Sequence, residues 1–417
     1  LPLRLPYADE PGEQWACSGC GSRYLGVLDE TCPSKIRGNA RPIADIWAEN
    51  AAKRQEKLSA RRTEYQSQGA AKKAPVALSG LRSSLQTTLT RSLDRELEQA
   101  TDEGLRPQGV PFAARLLKRP KGVYSEELVH NLIELLDTST NQVGQMFSAL
   151  KRGRPADVAQ AESIARGALE QATADIDLFV SLGIQPPAGD YPSRHSLHVS
   201  MLAMSIGAML NWDAETLAHL GMGCLLHDVG MLRVPAERYG KQRMFAEIAN
   251  HPIYTLDLLE KHLDRLSREA RLVAYQVHER LDGSGYPRGA SGVRVHEFAR
   301  VAAVADTFVA LSTPRPHRPA LAPYHAMETI LHGAKTGLYD PNVVRALLAT
   351  VSLFPLGSQV ILSDGQTARV LRANQDQYVR PIVEVRPGAS TGAGTIIDLA
   401  QESKLSIVAV ASDAAGM

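Results

Sequence analysis

From Val199 to Leu210 the chain reads Val-Ser-Met-Leu-Ala-Met-Ser-Ile-Gly-Ala-Met-Leu, apolar on nearly all faces of a helix. Such a helix has no side to offer to water and must lie at the centre of other helices. The neighbouring sequence can supply them. From Ser125 to Ile184 the apolar residues fall at helical spacing, first at Leu128, Leu132, Leu135 and Leu136, then at Ile164, Leu169, Ile176 and Phe179. Residues 195 to 350 continue as helices separated by short loops. A hydrophobic content of 44% over 417 residues is enough for a substantial core. The expected fold is mainly α, a helical bundle.

The flanks read differently. After Leu356, Val360-Ile361-Leu362 leads into the turn Ser363-Asp364-Gly365, followed by Ala368–Leu371 and Ile382–Val385. Short runs of this kind between Gly-rich loops predict a small antiparallel β unit. Residues 1–45 form a small irregular or β module rich in Pro and Gly, with Cys17, Cys20 and Cys32. Residues 46–75 are helix-prone and strongly charged, and 76–122 alternate polar helical patches with Gly and Pro breaks. The expected division is a Cys-containing module (1–45), a charged helical linker (46–122), a helical domain (123–352) and a β unit (353–417).

Charge and cysteine usage narrow the function. A formal net charge of +1 with 22% charged residues argues against a globally basic binder of nucleic-acid polymers. Four cysteines argue against a disulfide-stapled secreted domain. No apolar run is long enough to predict a membrane span. Because the sequence begins at Leu1 rather than Met, a targeting segment is not excluded by inspection.

Ionisable residues interrupt the apolar strings at a few places. Leu225-Leu226-His227-Asp228-Val229-Gly230 sets an imidazole and a carboxylate at the end of an apolar helix, and Val301–Ala305 delivers Asp306 inside another. A buried carboxylate needs a cation, a proton or hydrogen-bond donors. His195 stands at the start of the buried helix, His251 precedes Pro252 where a helix is expected to start, and His278 ends the apolar run Leu272–Val277. Singly, each is more readily a core or surface histidine. Together they form a nitrogen-and-oxygen donor set suited to Fe, Mn, Zn or a related divalent ion. His198, three residues after His195, reads as a helix-surface or supporting residue. His219 reads as packed or solvent-facing, and Cys224 as a small buried hydrophobe.

His227-Asp228, followed by His278-Glu279-Arg280-Leu281-Asp282-Gly283-Ser284-Gly285-Tyr286-Pro287, resembles the signature of the HD-GYP family over roughly residues 125 to 350. Arg315-Pro316-His317-Arg318 is similar to a further family element. The resemblance implies an HD-type helical bundle in a bacterial, cytoplasmic signalling protein. It also implies a metal-dependent phosphodiesterase that opens cyclic di-GMP, with a water activated for attack on phosphorus. His195, His227, Asp228 and Asp306 would hold one ion. Asp228, the central catalytic residue, would bridge to a second ion supported by His251 and His278. Two ions are implied, Fe or Mn favoured. Tyr286, Arg315 and Arg318 would meet the substrate, the arginines on one helix face at its phosphates. Gly283 and Gly285 would let the loop turn tightly.

Three positions depart from the family pattern. Met231 stands where a Lys is usual, Val277 where the first of two adjacent histidines is usual, and Tyr191 where trinuclear members carry a Glu. The second ion loses a ligand at Val277, the scissile phosphate loses a cation at Met231, and a third ion loses its carboxylate. The alternative function is therefore a degenerate, non-catalytic HD-GYP module acting through protein partners, with the Gly-Tyr-Pro loop as the docking surface. In the N-terminal module, Cys17-Ser18-Gly19-Cys20 and Cys32 offer three of the four ligands a structural zinc site needs. Free thiols and a Cys17–Cys20 redox pair are the rival readings. The charged stretch 46–75 is compatible with an oligomer, though its heptad signal is poor.

Overall fold

A computed structural model describes residues 83, 85–99, 109–115, 126–154, 156–174, 179–180, 191–234, 244–314, 320–355, 358–372, 374, 377–385 and 394–411. It also describes the backbone of three N-terminal strands, β1 (Gln14–Cys17), β2 (Arg23–Leu25) and β3 (Ala40–Pro42). These pair antiparallel in the order β2-β1-β3. Cys17 lies in β1. Cys20, Cys32 and the charged stretch 46–75 lie outside the described residues.

The helices are α1 (Thr88–Glu98), α2 (Glu126–Lys151), α3 (Ala159–Ala174), α4 (Ser193–Met209), α5 (Ala214–Leu226), α6 (Met244–Leu259), α7 (Arg268–Gln276), α8 (Glu297–Ser312), α9 (Pro323–Lys335) and α10 (Pro341–Val351). The helix expected at the centre is there. Every residue of α4 from His195 to Ala208 is buried, and α2, α3, α5, α8 and α10 all pack on it. Full burial of residues such as Leu202 and Met204 stabilises by roughly 1.5–3 kcal/mol each. After α4 the chain turns at Asn211 and restarts under the Asp213 carboxylate. That side chain accepts from the amides of Glu215 and Thr216, both at 3.0 Å, and so caps α5.

Two smaller cores adjoin this one. Leu93 and Leu97 of α1 pack with Ile253 and Leu256 of α6 and Leu272 and Tyr275 of α7. Beyond α10, strands β4 (Gln359–Leu362), β5 (Thr367–Arg372), β6 (Ile382–Val385), β7 (Thr395–Asp398) and β8 (Ile407–Val410) form an antiparallel sheet in the order β7-β6-β5-β4-β8. Alternation puts Val360, Leu362, Ala368 and Val370 on its buried face. Tyr324 of α9 stacks on Phe354 at 5.6 Å, which carries the sheet's core onto the helices. The expected class, a helical bundle with a small C-terminal β unit, is the observed one.

One expectation fails locally. Pro252 does not open a helix but lies inside α6, with His251 well within it. Proline has no amide hydrogen to give to the carbonyl four residues back, that of Ile248. His251 Nδ1 takes that acceptor instead, at 2.6 Å.

Candidate metal centre

Six buried side chains from five segments meet beneath α4. His195 comes from the first turn of α4 and Asp306 from the middle of α8. His227 caps the end of α5, Asp228 follows it, His251 comes from α6, and His278 lies just past the end of α7. Gly230 sets how closely the His227–Asp228 turn approaches α6. A Cβ there would lie 2.2 Å from the His251 carbonyl oxygen and 2.6 Å from the Thr255 nitrogen. Thr255 completes the joint by donating to the His227 carbonyl at 2.9 Å and accepting from the Gly230 amide at 3.0 Å.

The tautomers of two imidazoles follow from their backbone partners. His227 Nδ1 lies 2.7 Å from the Cys224 carbonyl and His251 Nδ1 lies 2.6 Å from that of Ile248. A carbonyl only accepts, so both Nδ1 atoms carry a proton and both Nε2 atoms point inward. Asp228 Oδ1 lies 3.3 Å from His227 Nε2, 3.2 Å from His251 Nε2 and 3.8 Å from His278 Nε2. Asp306 Oδ1 lies 3.0 Å from His195 Nε2, and its Oδ2 lies 3.4 Å from His278 Nδ1.

These distances define two groups able to hold a metal ion, His195–His227–Asp228 and Asp228–His251–His278, with Asp228 common to both. Asp306 borders both groups through His195 and His278. The donor chemistry fits a divalent cation. His227 Nε2 is buried without a hydrogen bond among the described residues. His251 and His278 face each other through their Nε2 atoms at 3.0 Å, with the His251 lone pair turned toward His278. A shared positive charge resolves both situations.

The electrostatics agree. Burial opposes ionisation of Asp228 and Asp306. The histidines around them, His227 and His251 for the first and His195 and His278 for the second, hold both carboxyls well below the usual range. Burial, with repulsion from His278, keeps His251 neutral against the pull of Asp228. Burial also works against a cation on His278, but the Asp228 and Asp306 carboxylates raise its pKa to about 9. The pocket thus favours positive charge, as a proton here and as a metal ion when one is bound.

The Gly-Tyr-Pro loop stands behind His278. Gly283 has φ 80°. Gly285 packs so closely that a Cβ would lie 2.5 Å from the His278 carbonyl oxygen. The Glu279 carboxylate braces the far side, accepting from the amides of Arg288 at 2.7 Å and Ala290 at 2.9 Å. Tyr286, expected to contact substrate, is buried with its ring stacked on His278 at 4.9 Å and edge-on to His251 at 6.0 Å. There it braces two candidate ligands. Arg288 ties the loop to the α1 segment, donating to Asp94, Tyr275 and the carbonyls of Ser83 and Leu85.

Arg315 and Arg318 lie outside the described residues. His198 is buried in α4 and belongs to neither metal-holding group. His219 faces Glu269 at 3.7 Å. The Cys224 thiol, its pKa raised by burial, stays in the core. Met231 and Val277 are absorbed by packing: Met231 clusters with Val234 and Ile248, and Val277 is fully buried in the main core. Sequence reasoning missed two contacts, the Thr255 joint and the Tyr191 hydroxyl, which donates to Asp228 Oδ2 at 2.8 Å. Thr255 was findable, since it lies four residues after His251 on one helix face. Tyr191 stood out only as a departure from the family's Glu, and nothing local signalled its bond to Asp228.

Residues 182–343 match the family model of the HD domain. A cyclic di-GMP phosphodiesterase of Pseudomonas aeruginosa is 27% identical over 274 residues, 64% of this chain and 65% of that protein. The cyclic di-GMP phosphodiesterase response regulator RpfG of Xanthomonas campestris is 33% identical over 155 residues, 36% of this chain and 41% of that protein. A 3'3'-cGAMP-specific phosphodiesterase of Vibrio cholerae is 28% identical over 271 residues, 63% of this chain and 54% of that protein. The chain spans less than two thirds of the length of each of these relatives. Among the described residues, no helix is long and apolar enough to cross a membrane.

Proposed function

That this chain belongs to the HD-GYP family is the premise from which we propose that it is a metal-dependent phosphodiesterase of cyclic dinucleotides, with cyclic di-GMP as substrate, in bacterial second-messenger signalling. The observation that carries the reading is the pair of His/Asp groups sharing Asp228. Divalent ions, with Fe or Mn favoured by the family resemblance, would lower the pKa of water for attack on phosphorus and neutralise charge growing on the phosphate oxygens. Asp228 holds the two groups in register, and Asp306 aligns His195 and His278 from the other side. His227 and His251 each donate Nδ1–H to a backbone carbonyl, which fixes both rings with Nε2 turned inward. Arg315 and Arg318 are assigned to the substrate phosphates. The relative that acts on 3'3'-cGAMP makes that dinucleotide the first competing substrate to try. An intracellular messenger as substrate would put the activity in the cytoplasm.

A second reading is favoured by Met231 and Val277, which pack as apolar residues where the family usually carries a Lys and a first His. On that reading the domain binds without turnover and signals through partners. The deciding test is anaerobic reconstitution with Fe or Mn and a turnover assay on cyclic di-GMP, with Asp228→Ala as control. Metal-dependent loss of substrate that disappears in the control supports the phosphodiesterase. Metal bound to a folded protein with no turnover selects the signalling module.

A further inference from the structure

Asp228 is the one carboxylate common to both metal-holding groups, and its two oxygens are differently engaged. Oδ1 faces His251 and His227 at 3.2 and 3.3 Å. Oδ2 accepts the Tyr191 hydroxyl at 2.8 Å. The tyrosine reaches in from the rim: its side is exposed to 38%, and its ring lies 5.7 Å from that of His195, tilted by 45°. A carboxylate serving two groups has a difficulty of its own. Rotation about its last bond exchanges the oxygens and turns it away from one set of imidazoles. A hydrogen bond to one oxygen from a fixed donor removes that freedom. A neutral phenol leaves the negative charge on the carboxylate, where a Lys or Arg would offset it and weaken its hold on a cation.

We propose that Tyr191 is a positioning residue of the metal centre: its hydroxyl fixes the Asp228 carboxylate in the orientation that both groups share. The proposal rests on the metal-centre reading. A purely structural Tyr191, packing at the start of α4, would act through its ring and would move the stability of the metal-free protein. The proposed role acts through the hydroxyl and moves metal affinity.

The experiment titrates the metal-free protein with Mn2+ alone and follows bound metal per chain, beside thermal unfolding without metal. Tyr191→Phe keeps the ring and removes the hydroxyl. Tyr191→Leu removes both, and Asp228→Ala removes the carboxylate. The expected result is about a tenfold loss of Mn2+ affinity in Tyr191→Phe, in the range usual for groups that orient metal ligands. Its metal-free melting temperature should be unchanged, and Asp228→Ala should bind far more weakly still. Wild-type affinity in Tyr191→Phe, with binding lost in Asp228→Ala, overturns the proposal and leaves the metal centre standing. So does a loss seen only in Tyr191→Leu, which would assign the effect to packing. Wild-type binding by Asp228→Ala would overturn the metal-centre reading and the proposal together.

Discussion

The two groups that share Asp228 are built on different foundations. His195 and His227 stand on α4 and the end of α5, two helices inside the main core, with Asp306 of α8 at 3.0 Å from His195. His251 and His278 stand at the margin. One is on α6 beside a proline, and the other opens a loop braced by Glu279 and tied to α1 through Arg288. Of the two departures, Met231 packs against Ile248 of α6 on this second side, and Val277, next to His278 in sequence, packs into the main core. The difference teaches where such a centre can lose a ligand. On the core side each ligand is also held by helix packing, so a change there disturbs the fold. On the loop side an apolar residue can sink into a neighbouring cluster and remove a donor without opening a cavity.

The largest expected effect tests whether the sides are separable. His195→Ala and His251→Ala should each lose the metal of their own side and keep a weakened site on the other. Asp228→Ala should lose both, with turnover down by orders of magnitude in all three. Bound metal per chain, measured with Mn2+, reads this directly. Equal loss of all metal in the two histidine variants would break the comparison and make the centre a single cooperative unit.

A smaller effect sharpens it. Val277→His would restore an imidazole next to His278, but into a position fully buried in the core. Without metal the change should destabilise by about 1–3 kcal/mol, the cost of a buried polar group lacking a partner. With Mn2+ the melting temperature should rise more than in the wild type, because the new imidazole gains a partner. An equal rise in both proteins would mean that residue 277 does not face the site. Arg288→Ala should act on the loop side alone. It removes hydrogen bonds to Asp94, Tyr275 and two carbonyls and should cost about 1–3 kcal/mol in unfolding experiments. Metal retention should fall on the His278 side while the His195 side is unchanged.

What could be read in the sequence follows the same division. The bundle was legible because its apolar residues recur at helical spacing and because Val199–Leu210 leaves no polar face. The six candidate ligands were legible as residue types, being ionisable groups at the ends or within apolar strings; the fold brings five of them into two groups and sets Asp306 against His195 and His278. What depends on one backbone atom meeting another was not. The usual reading of His251-Pro252 as a helix start failed because α6 runs through the proline and uses the carbonyl it releases. Tyr191 read only as a missing Glu, since its partner Asp228 is 37 residues away and its direction is set by tertiary packing. Strands β7 and β8 also escaped notice. They form the two edges of the sheet, where half-exposed runs such as Thr395–Asp398 carry little pattern.

The smallest effect is a pH dependence confined to the core side. His296 caps α8, the helix that carries Asp306, and accepts from the Phe298 amide at 3.4 Å. Burial, then the Arg268 guanidinium, lower its pKa from 6.5 to about 4 against the pull of Glu269 and Glu96, with Arg300 adding to the repulsion. The unfolded chain therefore takes up a proton near pH 6.5 that the folded chain refuses until about pH 4. More protons on the unfolded side mean that stability falls as the pH drops through this window and is level above it. Protonation also removes the acceptor that caps α8. His296→Asn keeps a capping oxygen and does not titrate. Its loss of stability between pH 7 and pH 5 should be smaller than that of the wild type by on the order of 1 kcal/mol after solvent screening. Parallel pH profiles for the two proteins would show that the cap is not what ties the core side to pH.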